Sequence, residues 1–411
     1  MNFEQAERYL LGLELFGMRF GLDRMRRLMT ALGSPQERFR SIHVVGTNGK
    51  SSTARMASAI LERHGMRTGT YLSPHLVSFT ERIRVAERDV APERFAAAVE
   101  RAARAAEKVN RTLEGDDRVT QFEALTAAAY SEMAEAGVEV AVIEAGLGGR
   151  YDATNVIPSE VQVLTNVGLE HTRWLGPTIR DIASEKLAVV RPGSTLVIGP
   201  DLHPDALALA REAPAARLVV AQEDGIVPAA RGAFQRRNFA LARAASAALL
   251  APTHASLDDD AVRQAAASTL VPGRFEVVAQ DPETVIDGAH NPAGIEALAE
   301  SLPEWLDGRD LVVVLSILDD KDAAAMLQAL IPHATHIVCT TNANPRALSP
   351  ATLQSLARQL GFTAVSAERD PRGAVAAARE LTGPAGAVLA TGSIYLIADL
   401  LRPAGVRGAT L

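Results

Sequence analysis

The chain has 411 residues, of which 47% are hydrophobic and 22% are charged, and its formal net charge at pH 7 is −7. This length predicts two domains, or three, each large enough to bury its own core. The acidic balance argues against a nucleic-acid-binding protein that relies on bulk positive charge. The one cysteine, Cys339, excludes an intrachain disulfide and a cysteine-based metal site, and we expect it to be an inert core residue because it lies in an apolar run.

The first residues and the hydropathy of the chain indicate where in the cell the protein is expected. The first seven residues carry acidic side chains and lack the apolar segment of a secretory signal. No stretch of the sequence approaches the ~18 uncharged apolar residues that are needed to span a bilayer. We therefore expect a cytoplasmic protein that has no contact with a membrane.

A glycine-rich segment between a strand and a helix is the most informative feature of the sequence. Residues 41–45 form a short, β-branched apolar run typical of a buried strand, and residues 53–64 favour a helix. The segment between them, 46–52, would direct backbone N–H groups and the positive end of the helix dipole towards one point. With Lys50 as a mobile cation and a serine hydroxyl able to bind magnesium, this arrangement suits a nucleoside triphosphate. The loop is shorter than in common NTPases, whose spacing would need a glycine at Val44.

Strand-like apolar runs alternate with helix-forming segments along almost the whole chain. The runs are continuous in hydrophobicity, as in parallel strands that are covered on both faces. This pattern predicts an α/β fold with right-handed crossovers. The runs are Thr68–Leu72, Val138–Glu144, Val161–Val167, Thr195–Ile198, Thr284–Ile286, Leu311–Leu315, His336–Cys339 and Ala387–Ala390, and the helical segments include Pro92–Val109, Gln121–Ala136 and Asn238–Leu250.

A break in this pattern at about residues 252–273 predicts a domain boundary. Prolines, a glycine and three consecutive aspartates interrupt the alternation there, and a second series of strands and helices begins at Thr284. We therefore predict a P-loop-containing, mostly parallel sheet domain over residues 1–270. A smaller, Rossmann-like α/β domain follows over residues 271–411.

Several predicted strands end in polar residues, and ligands of open α/β sheets bind at the carboxyl ends of the strands. Glu144 ends an apolar run, where a lone carboxylate is costly unless it meets a cation. It either caps a loop or pairs with an arginine, or it binds magnesium beside the glycine-rich loop. Ser73 and His171 end two further strands. For Ser73 the alternative to a ligand-binding role is a simple turn or helix cap, and for His171 it is a structural histidine. Lys186 lies in a short amphipathic helix and, taken alone, is expected to be a solvated surface lysine.

The second domain contains a cluster of polar residues between a strand and a helix. Residues 287–292 close the strand that begins at Thr284 and open a helix at Pro292. Asn291 is a good N-cap residue for that helix. We expect Asp287 and His290 to be exposed at the helix N-terminus, facing a bound ligand.

Taken together, these segments resemble the folylpolyglutamate synthase and dihydrofolate synthase family, a branch of the Mur ligase superfamily. They occur in the family's order from residue 46 to residue 396, which makes the set far more specific than any one motif. The matching segments are 46–50, 72–76 with 81–85, 122–123, 144–155, 171–176, 185–186, 272–275, 287–292 and 392–396.

The resemblance implies an ATP-dependent ligase of folate biosynthesis and one-carbon metabolism. In this family ATP phosphorylates a substrate carboxylate, and the amine of L-glutamate attacks the resulting acyl phosphate. The acceptor would be dihydropteroate, a reduced folate, or both. ATP and Mg²⁺ are the expected cofactors, and we expect a monomer whose partners are these small molecules.

The resemblance also implies roles for individual residues. The expected catalytic residues are Lys50, Lys186, which matches a lysine that is carbamylated in the family, and His290. The residues expected to bind ATP are Thr47, Asn48, Gly49, Lys50, Ser51, Ser52, Asn238, Arg274 and Asp287. The last three match positions that reach the nucleotide from across a domain cleft. The expected magnesium ligands are Ser73, Glu144 and His171, and the expected substrate-binding residues are Phe122, for the pteridine, and Ser393, for the glutamate.

Two residues depart from the pattern of the folate branch. Ser51 replaces the usual glycine and is typical of the cell-wall Mur ligases, and Glu170 replaces the usual aspartate before the histidine. The residues that precede Gly46 are too few for the UDP-sugar-binding domain of the cell-wall enzymes, which favours the folate branch. The alternatives are another amino-acid ligase of the superfamily and a P-loop regulatory NTPase, which would need the longer glycine spacing.

Overall fold

The structure, a computed structural model, describes residues 1–13, 21–253 and 256–403. The chain divides into two compact units. The first comprises Met1–Pro228 and Arg237–Thr269, and the second comprises Ala229–Arg236 and Leu270–Leu411. The assignment of residues 1–270 to ATP binding and of residues 271–411 to glutamate ligation stays a prediction.

The first unit is built on a mostly parallel sheet. Its strands are β1 (Arg40–Val45), β2 (Thr68–Tyr71), β3 (Ile83–Val85), β4 (Arg88–Asp89), β5 (Val140–Glu144), β6 (Val161–Leu164), β7 (Thr195–Ile198) and β8 (Arg217–Val220). Their order across the sheet is β4-β3-β2-β5-β1-β6-β7-β8. Neighbouring strands in the series β2-β5-β1-β6-β7-β8 pair in parallel. The strands β3 and β4 add an antiparallel edge next to β2. The carboxyl ends of β1, β2, β5 and β6 therefore lie at one edge of the sheet.

The helices up to residue 268 follow the strands in the expected alternation. They are α1 (Phe3–Leu11), α2 (Asp23–Ala31), α3 (Lys50–Arg63), α4 (Pro92–Asn110), α5 (Gln121–Glu135), α6 (Thr172–Leu175), α7 (Ile179–Leu187), α8 (Pro204–Glu212), α9 (Ala233–Leu250) and α10 (Asp259–Ser268). Capping boxes begin α5 at Thr120 and α7 at Thr178, because each threonine accepts an N–H from the acidic residue three positions later. Among the described residues, we find no helix with the length and apolar character that a bilayer crossing requires.

The second unit contains a six-stranded sheet. Its strands are β9 (Glu276–Ala279), β10 (Glu283–Ile286), β11 (Leu311–Leu315), β12 (His336–Cys339), β13 (Val365–Ala367) and β14 (Ala387–Thr391), and its helices are α11 (Pro292–Ala299), α12 (Leu302–Leu306), α13 (Ala323–Leu330), α14 (Pro350–Gln359), α15 (Pro371–Thr382) and α16 (Ile394–Leu401). The strand order is β13-β12-β11-β14-β10-β9, and all neighbours pair in parallel except β9 with β10.

The predicted fold class is confirmed: a mostly parallel P-loop sheet is followed in the chain by a smaller α/β unit. Every residue of β5, β11 and β14 is buried, which explains why these strands read as continuous apolar runs. Cys339 is a core residue, as expected, and burial raises the pKa of its thiol to about 12.

Candidate active site

The loop between β1 and α3 requires glycine at two positions. Gly46 and Gly49 have φ of +153° and +83°, values that residues with a side chain rarely adopt. A Cβ atom on Gly46 would lie 1.8 Å from Oγ1 of Thr165, and one on Gly49 would lie 2.4 Å from Oδ1 of Asn238. The close approach of these neighbours fixes the loop in a tight conformation at the start of α3.

Polar residues that follow β6 anchor this loop. The N–H of Thr47 donates to the carbonyl of Asn166 at 3.0 Å, and the N–H of Asn48 donates to Oδ1 of the same residue at 2.9 Å. The hydroxyl of Thr165 donates to the carbonyl of Asn48 at 2.6 Å. Sequence reasoning missed Thr165 and Asn166, although their signal is visible as a polar pair directly after a buried strand.

Lys50 and Lys186 meet at one carbonyl of the loop. Nζ of Lys50 donates to the carbonyls of Gly46 at 3.1 Å and Thr47 at 3.0 Å, and Nζ of Lys186 donates to the Gly46 carbonyl at 2.8 Å. Lys186 is 4% exposed, so the interpretation as a solvated surface lysine is wrong. Burial, and then the charge of Lys50, lower the pKa of Lys186 to about 7, against the opposing effect of Glu170 and Asp152.

The path of α7 accounts for the burial of Lys186. This helix lies so close to the loop after β5 that a Cβ atom on Gly149 would be 2.7 Å from the carbonyl oxygen of Glu185. The N–H of Arg150 donates to that same carbonyl at 2.9 Å, and the Arg150 guanidinium donates to the Glu185 carboxylate at 2.9 Å. The absence of a side chain at Gly149 thus lets the helix carry its lysine under the loop between β1 and α3.

Glu144 joins the loop to the end of β2. Its carboxylate is 2% exposed and accepts the hydroxyl of Ser51 at 2.9 and 2.8 Å and the N–H of Ser73 at 3.1 Å. The structure therefore brings together two of the predicted magnesium ligands, Ser73 and Glu144, with a serine of the loop. The Glu144 carboxylate and the Ser51 hydroxyl supply oxygen ligands of the kind that Mg²⁺ prefers, so these two residues fit the ion.

His171 is the third predicted magnesium ligand. It precedes α6 with φ of +52°, its side chain is 41% exposed, and Nε2 lies 3.9 Å from Oε1 of Glu170. The described part of the chain holds no group of three or more His, Cys, Asp or Glu side chains placed to bind a metal ion. The three predicted magnesium ligands include two residues of these types, Glu144 and His171, so this observation does not test them as a set. The role of His171 stays a prediction.

The turn that contains Ser73 is held by two charged residues that follow it. The carboxylate of Glu81 accepts the N–H groups of Leu76, Val77 and Ser78 at 2.7–2.8 Å. The guanidinium of Arg82 donates to Nδ1 of His75 at 3.0 Å and to the hydroxyl of Ser73 at 3.4 Å. Sequence analysis matched residues 81–85 to the family without assigning them this positioning role.

Phe122 forms an aromatic surface next to the loop that follows β5. A Cβ atom on Gly146 would lie 2.6 Å from Cζ of Phe122, and the ring centroids of Phe122 and Tyr71 are 6.1 Å apart. The next residue, Glu123, accepts two hydrogen bonds of 3.1 Å from Nε of the buried Arg24. Phe122 is half-buried, and its role as a wall of a substrate pocket stays a prediction.

The remaining nucleotide-binding candidates divide between the two units. Asn238 lies on α9 in the part of the chain that belongs to the first unit, next to Gly49, so it does not lie across a cleft from the loop as the resemblance implied. Ser52 is buried on the first turn of α3. Arg274 lies in the second unit, where a Cβ atom on Gly288 would be 2.9 Å from its Nη1.

Asp287 is buried, and the expectation that it would be exposed is wrong. It is 2% exposed, and its carboxylate accepts the N–H groups of Ala289 at 2.7 Å and of Phe275 at 2.9 Å. Burial raises the pKa of this carboxyl, and the Arg274 guanidinium and the two N–H groups oppose the shift. Asp287 therefore organises the turn between β10 and α11.

His290 and Ser393 occupy the same edge of the second sheet. Nδ1 of His290 lies 2.9 Å from the carbonyl oxygen of Gly288. Asn291 caps α11 by accepting the N–H of Gly294 at 2.8 Å, as predicted. Ser393 caps α16 by accepting the N–H of Tyr395 at 3.2 Å. The segments that contain these residues follow β10 and β14, which are neighbours in the sheet.

Comparison with known proteins identifies the family. The Mur ligase middle domain matches residues 44–219, and the glutamate ligase domain of Mur ligases matches residues 273–394. The dihydrofolate synthase/folylpolyglutamate synthase of Mycobacterium tuberculosis is 36% identical over 406 residues, which cover 89% of this chain and 83% of that protein. The chain belongs to the dihydrofolate synthase/folylpolyglutamate synthase family.

Solved structures of this family share the fold. The folylpolyglutamate synthase of Mycobacterium tuberculosis complexed with ADP is 33% identical and covers 99% of each chain with a TM-score of 0.89. The bifunctional folylpolyglutamate synthase/dihydrofolate synthase of Yersinia pestis, complexed with AMPPNP and a Mn ion, is 29% identical and covers 98% of this chain and 97% of that chain with a TM-score of 0.84. ATP and a divalent metal are therefore the cofactors consistent with this family.

Proposed function

We propose that this protein is an ATP-dependent ligase that joins L-glutamate to the carboxylate of a pteroate-type acceptor, either dihydropteroate or a reduced folate. The observation that carries the proposal is the convergence of Lys50 and the buried Lys186 on the Gly46 carbonyl of a phosphate-binding loop. We infer nucleotide binding from this loop, and we infer the acceptor and L-glutamate as substrates from the family to which the chain belongs.

The residues of the loop bind and orient the nucleotide. Lys50 exchanges the two carbonyls of its own loop for the β- and γ-phosphate oxygens, where its charge stabilises the transferring phosphoryl group. Ser51 and Glu144, with Ser73 at the end of β2, would hold Mg²⁺. Magnesium, when bound, neutralises charge on the phosphates.

The reaction then proceeds by two displacements. A carboxylate oxygen of the acceptor attacks the γ-phosphorus, the bond from phosphorus to the bridging oxygen breaks, and ADP leaves. The amine of L-glutamate attacks the carbon of the acyl phosphate, phosphate leaves, and the amine loses a proton as the amide forms. His290 and Ser393 act on the glutamate: a hydrogen on Nδ1 that is donated to the Gly288 carbonyl leaves Nε2 of His290 as a proton acceptor.

Lys186 contributes as a carbamate. Because its pKa is lowered to about 7, a large fraction of the amine is neutral near pH 7 and can attack carbon dioxide. The product is a carbamate anion and a proton, so that an ammonium that would repel magnesium becomes a group that attracts it.

The acceptor binds against an apolar surface. Phe122 presents a half-buried aromatic ring that packs against the buried Tyr71, and a flat pteridine with an aminobenzoate needs apolar faces and few polar contacts. Dihydropteroate and reduced folates share this aromatic body and its terminal carboxylate, and for this reason we propose that the protein uses both. Its monomeric state and cytoplasmic location stay predictions from the sequence.

An acceptor panel tests the proposal. We expect release of ADP and phosphate from ATP and Mg²⁺ only when L-glutamate is present together with dihydropteroate or with a reduced folate. Reactions that lack L-glutamate serve as controls for simple ATP hydrolysis. Turnover with a UDP-muramyl acceptor alone would contradict the folate assignment, and turnover with one pteridine acceptor alone would contradict the use of both.

A further inference from the structure

Three neighbouring strands of the second sheet end in buried residues with polar side chains. Ser316 directly follows β11, Asn342 comes three residues after the end of β12, and Thr391 and Ser393 lie at the end of β14. The strands β12, β11 and β14 are adjacent and parallel, so these residues share one edge of the sheet. Asn342 is 8% exposed, and the three hydroxyl residues are 0% exposed.

Asn342 joins the ends of the three strands through its amide group. The N–H of Asn344 donates to Oδ1 of Asn342 at 2.9 Å, which identifies the oxygen and the nitrogen of the amide. Nδ2 then donates to the hydroxyl oxygen of Ser316 at 2.9 Å and to that of Ser393 at 3.4 Å. The amide nitrogen is therefore the donor in both bonds, and both serine hydroxyl oxygens are acceptors.

The hydroxyl protons at this edge have no acceptor among the described residues. A hydroxyl has two lone pairs and one proton, and Ser393 uses both lone pairs because it also accepts the N–H of Tyr395 at 3.2 Å. The proton of Ser316 likewise has no described acceptor, and Oγ1 of Thr391 has no hydrogen-bond partner at all in the described structure. Buried donors without acceptors are rare in folded proteins, so three of them at one edge of a sheet need an explanation, and a bound ligand that accepts their protons is one.

We propose that Asn342 is a positioning residue for the incoming L-glutamate. By occupying lone pairs of Ser316 and Ser393, its amide turns both hydroxyl protons towards one carboxylate of the amino acid, and the hydroxyl of Thr391 completes the set of donors. A carboxylate only accepts hydrogen bonds, so it matches a group of donors. The N-terminus of α16, which begins directly after Ser393, adds its positive dipole end. This inference rests on the proposed ligase function and adds three residues to it.

Two substitutions of Asn342 separate this role from a structural one. Asn342→Asp keeps the shape of the side chain, but its carboxylate would accept both serine protons and remove them from the ligand. Asn342→Ala loses the amide and leaves the protons available but unoriented. We expect the KM for L-glutamate to rise by roughly tenfold or more in Asn342→Asp and by less in Asn342→Ala, with the KM for ATP changed by less than about twofold in both.

A neutral substitution with a matched control completes the test. Thr391→Val removes an unpartnered hydroxyl without adding charge, and we expect it to raise the KM for L-glutamate while leaving the KM for ATP unchanged. Thr335→Val removes a hydroxyl at the opposite edge of the same sheet, where Thr335 donates to the carbonyl of Leu311 at 2.9 Å, and it should change neither KM.

The outcomes are distinct from those of the proposed function. If the wild-type protein shows no glutamate-dependent release of ADP with any pteroate acceptor, the ligase function itself fails. If the wild type is active, the inference is overturned by an unchanged KM for L-glutamate in Asn342→Asp. It is equally overturned by an effect of Asn342→Ala that equals or exceeds that of Asn342→Asp, because an amide that is merely structural tolerates the isosteric change better.

Discussion

Lys186 is a residue at which burial has a consequence that can be measured directly. Its pKa falls from 10.5 in the unfolded chain to about 7 in the folded protein, so between these values the unfolded chain holds the additional proton. The free energy of unfolding of the wild type should therefore rise with pH over this range. Lys186→Met removes the titrating group. We expect the variant to be more stable than the wild type at pH 7 in buffers free of carbon dioxide, with an advantage that shrinks towards pH 10, as measured by urea unfolding.

An exposed lysine serves as the control for this prediction. Lys108→Met makes the same substitution at an exposed position, and any change with pH in its stability relative to the wild type should be smaller than the change for Lys186→Met. An advantage of Lys186→Met that does not vary with pH would contradict the lowered pKa.

In the activity assay, Lys186→Ala should be inactive, and acetate should restore part of the activity by occupying the position of the carbamate.

Residue identities were easier to predict than residue environments. The sequence indicated Glu144, Ser73 and Lys50 because each ends a strand, or follows a strand or a glycine-rich turn. It could not indicate the burial of Asp287, which depends on the N–H of Phe275, a residue 12 positions earlier in the chain. The burial of Lys186 likewise depends on the approach of α7 to Gly149, which no periodicity within that helix reveals.

The helix α3 offers a test at the scale of one element, because a glycine with positive φ flanks each of its ends. Gly49 has φ of +83° and Gly65 has φ of +80°, but only at Gly49 would a Cβ atom meet another group, Oδ1 of Asn238 at 2.4 Å. We expect Gly65→Ala to lower the free energy of unfolding by about 1–2 kcal/mol, the cost of the left-handed backbone alone. Gly49→Ala should cost more and should also raise the KM for ATP.

The comparison of the two alanine variants isolates the contact with Asn238 from backbone strain. Equal losses of stability in both variants, or an unchanged KM for ATP in Gly49→Ala, would show that the loop tolerates a side chain at this point. Either result would contradict the tight loop conformation on which the nucleotide-binding proposal depends.

Strands that are largely buried were predicted from the sequence, and largely exposed strands were not. The runs that became β1, β5, β11 and β14 are rich in apolar residues because both faces are covered. In contrast, β4 has two residues, both exposed, and β8 has four residues, none of them buried. A pattern based on hydrophobicity carries little signal for strands of this kind, whose pairing at a sheet edge depends on their neighbours.

For the whole molecule, the order of the motifs was more informative than any motif alone. The shortened loop spacing and Ser51 left several nucleotide-binding functions open. The ordered segments from residue 46 to residue 396 indicated one family, which the comparisons confirm. The roles of single residues remain predictions, because a family match does not establish what Lys186, His171 or Ser393 does in this chain.

The central claim is that ATP activates the carboxylate of a pteroate-type acceptor as an acyl phosphate before L-glutamate attacks it. Dihydropteroate labelled with oxygen-18 in its carboxylate tests this claim directly, with the released products analysed by mass spectrometry. The account predicts ADP together with inorganic phosphate that carries a single oxygen-18 atom from the acceptor, and none of this product from Lys50→Ala. Unlabelled phosphate, or label recovered in AMP, would contradict it.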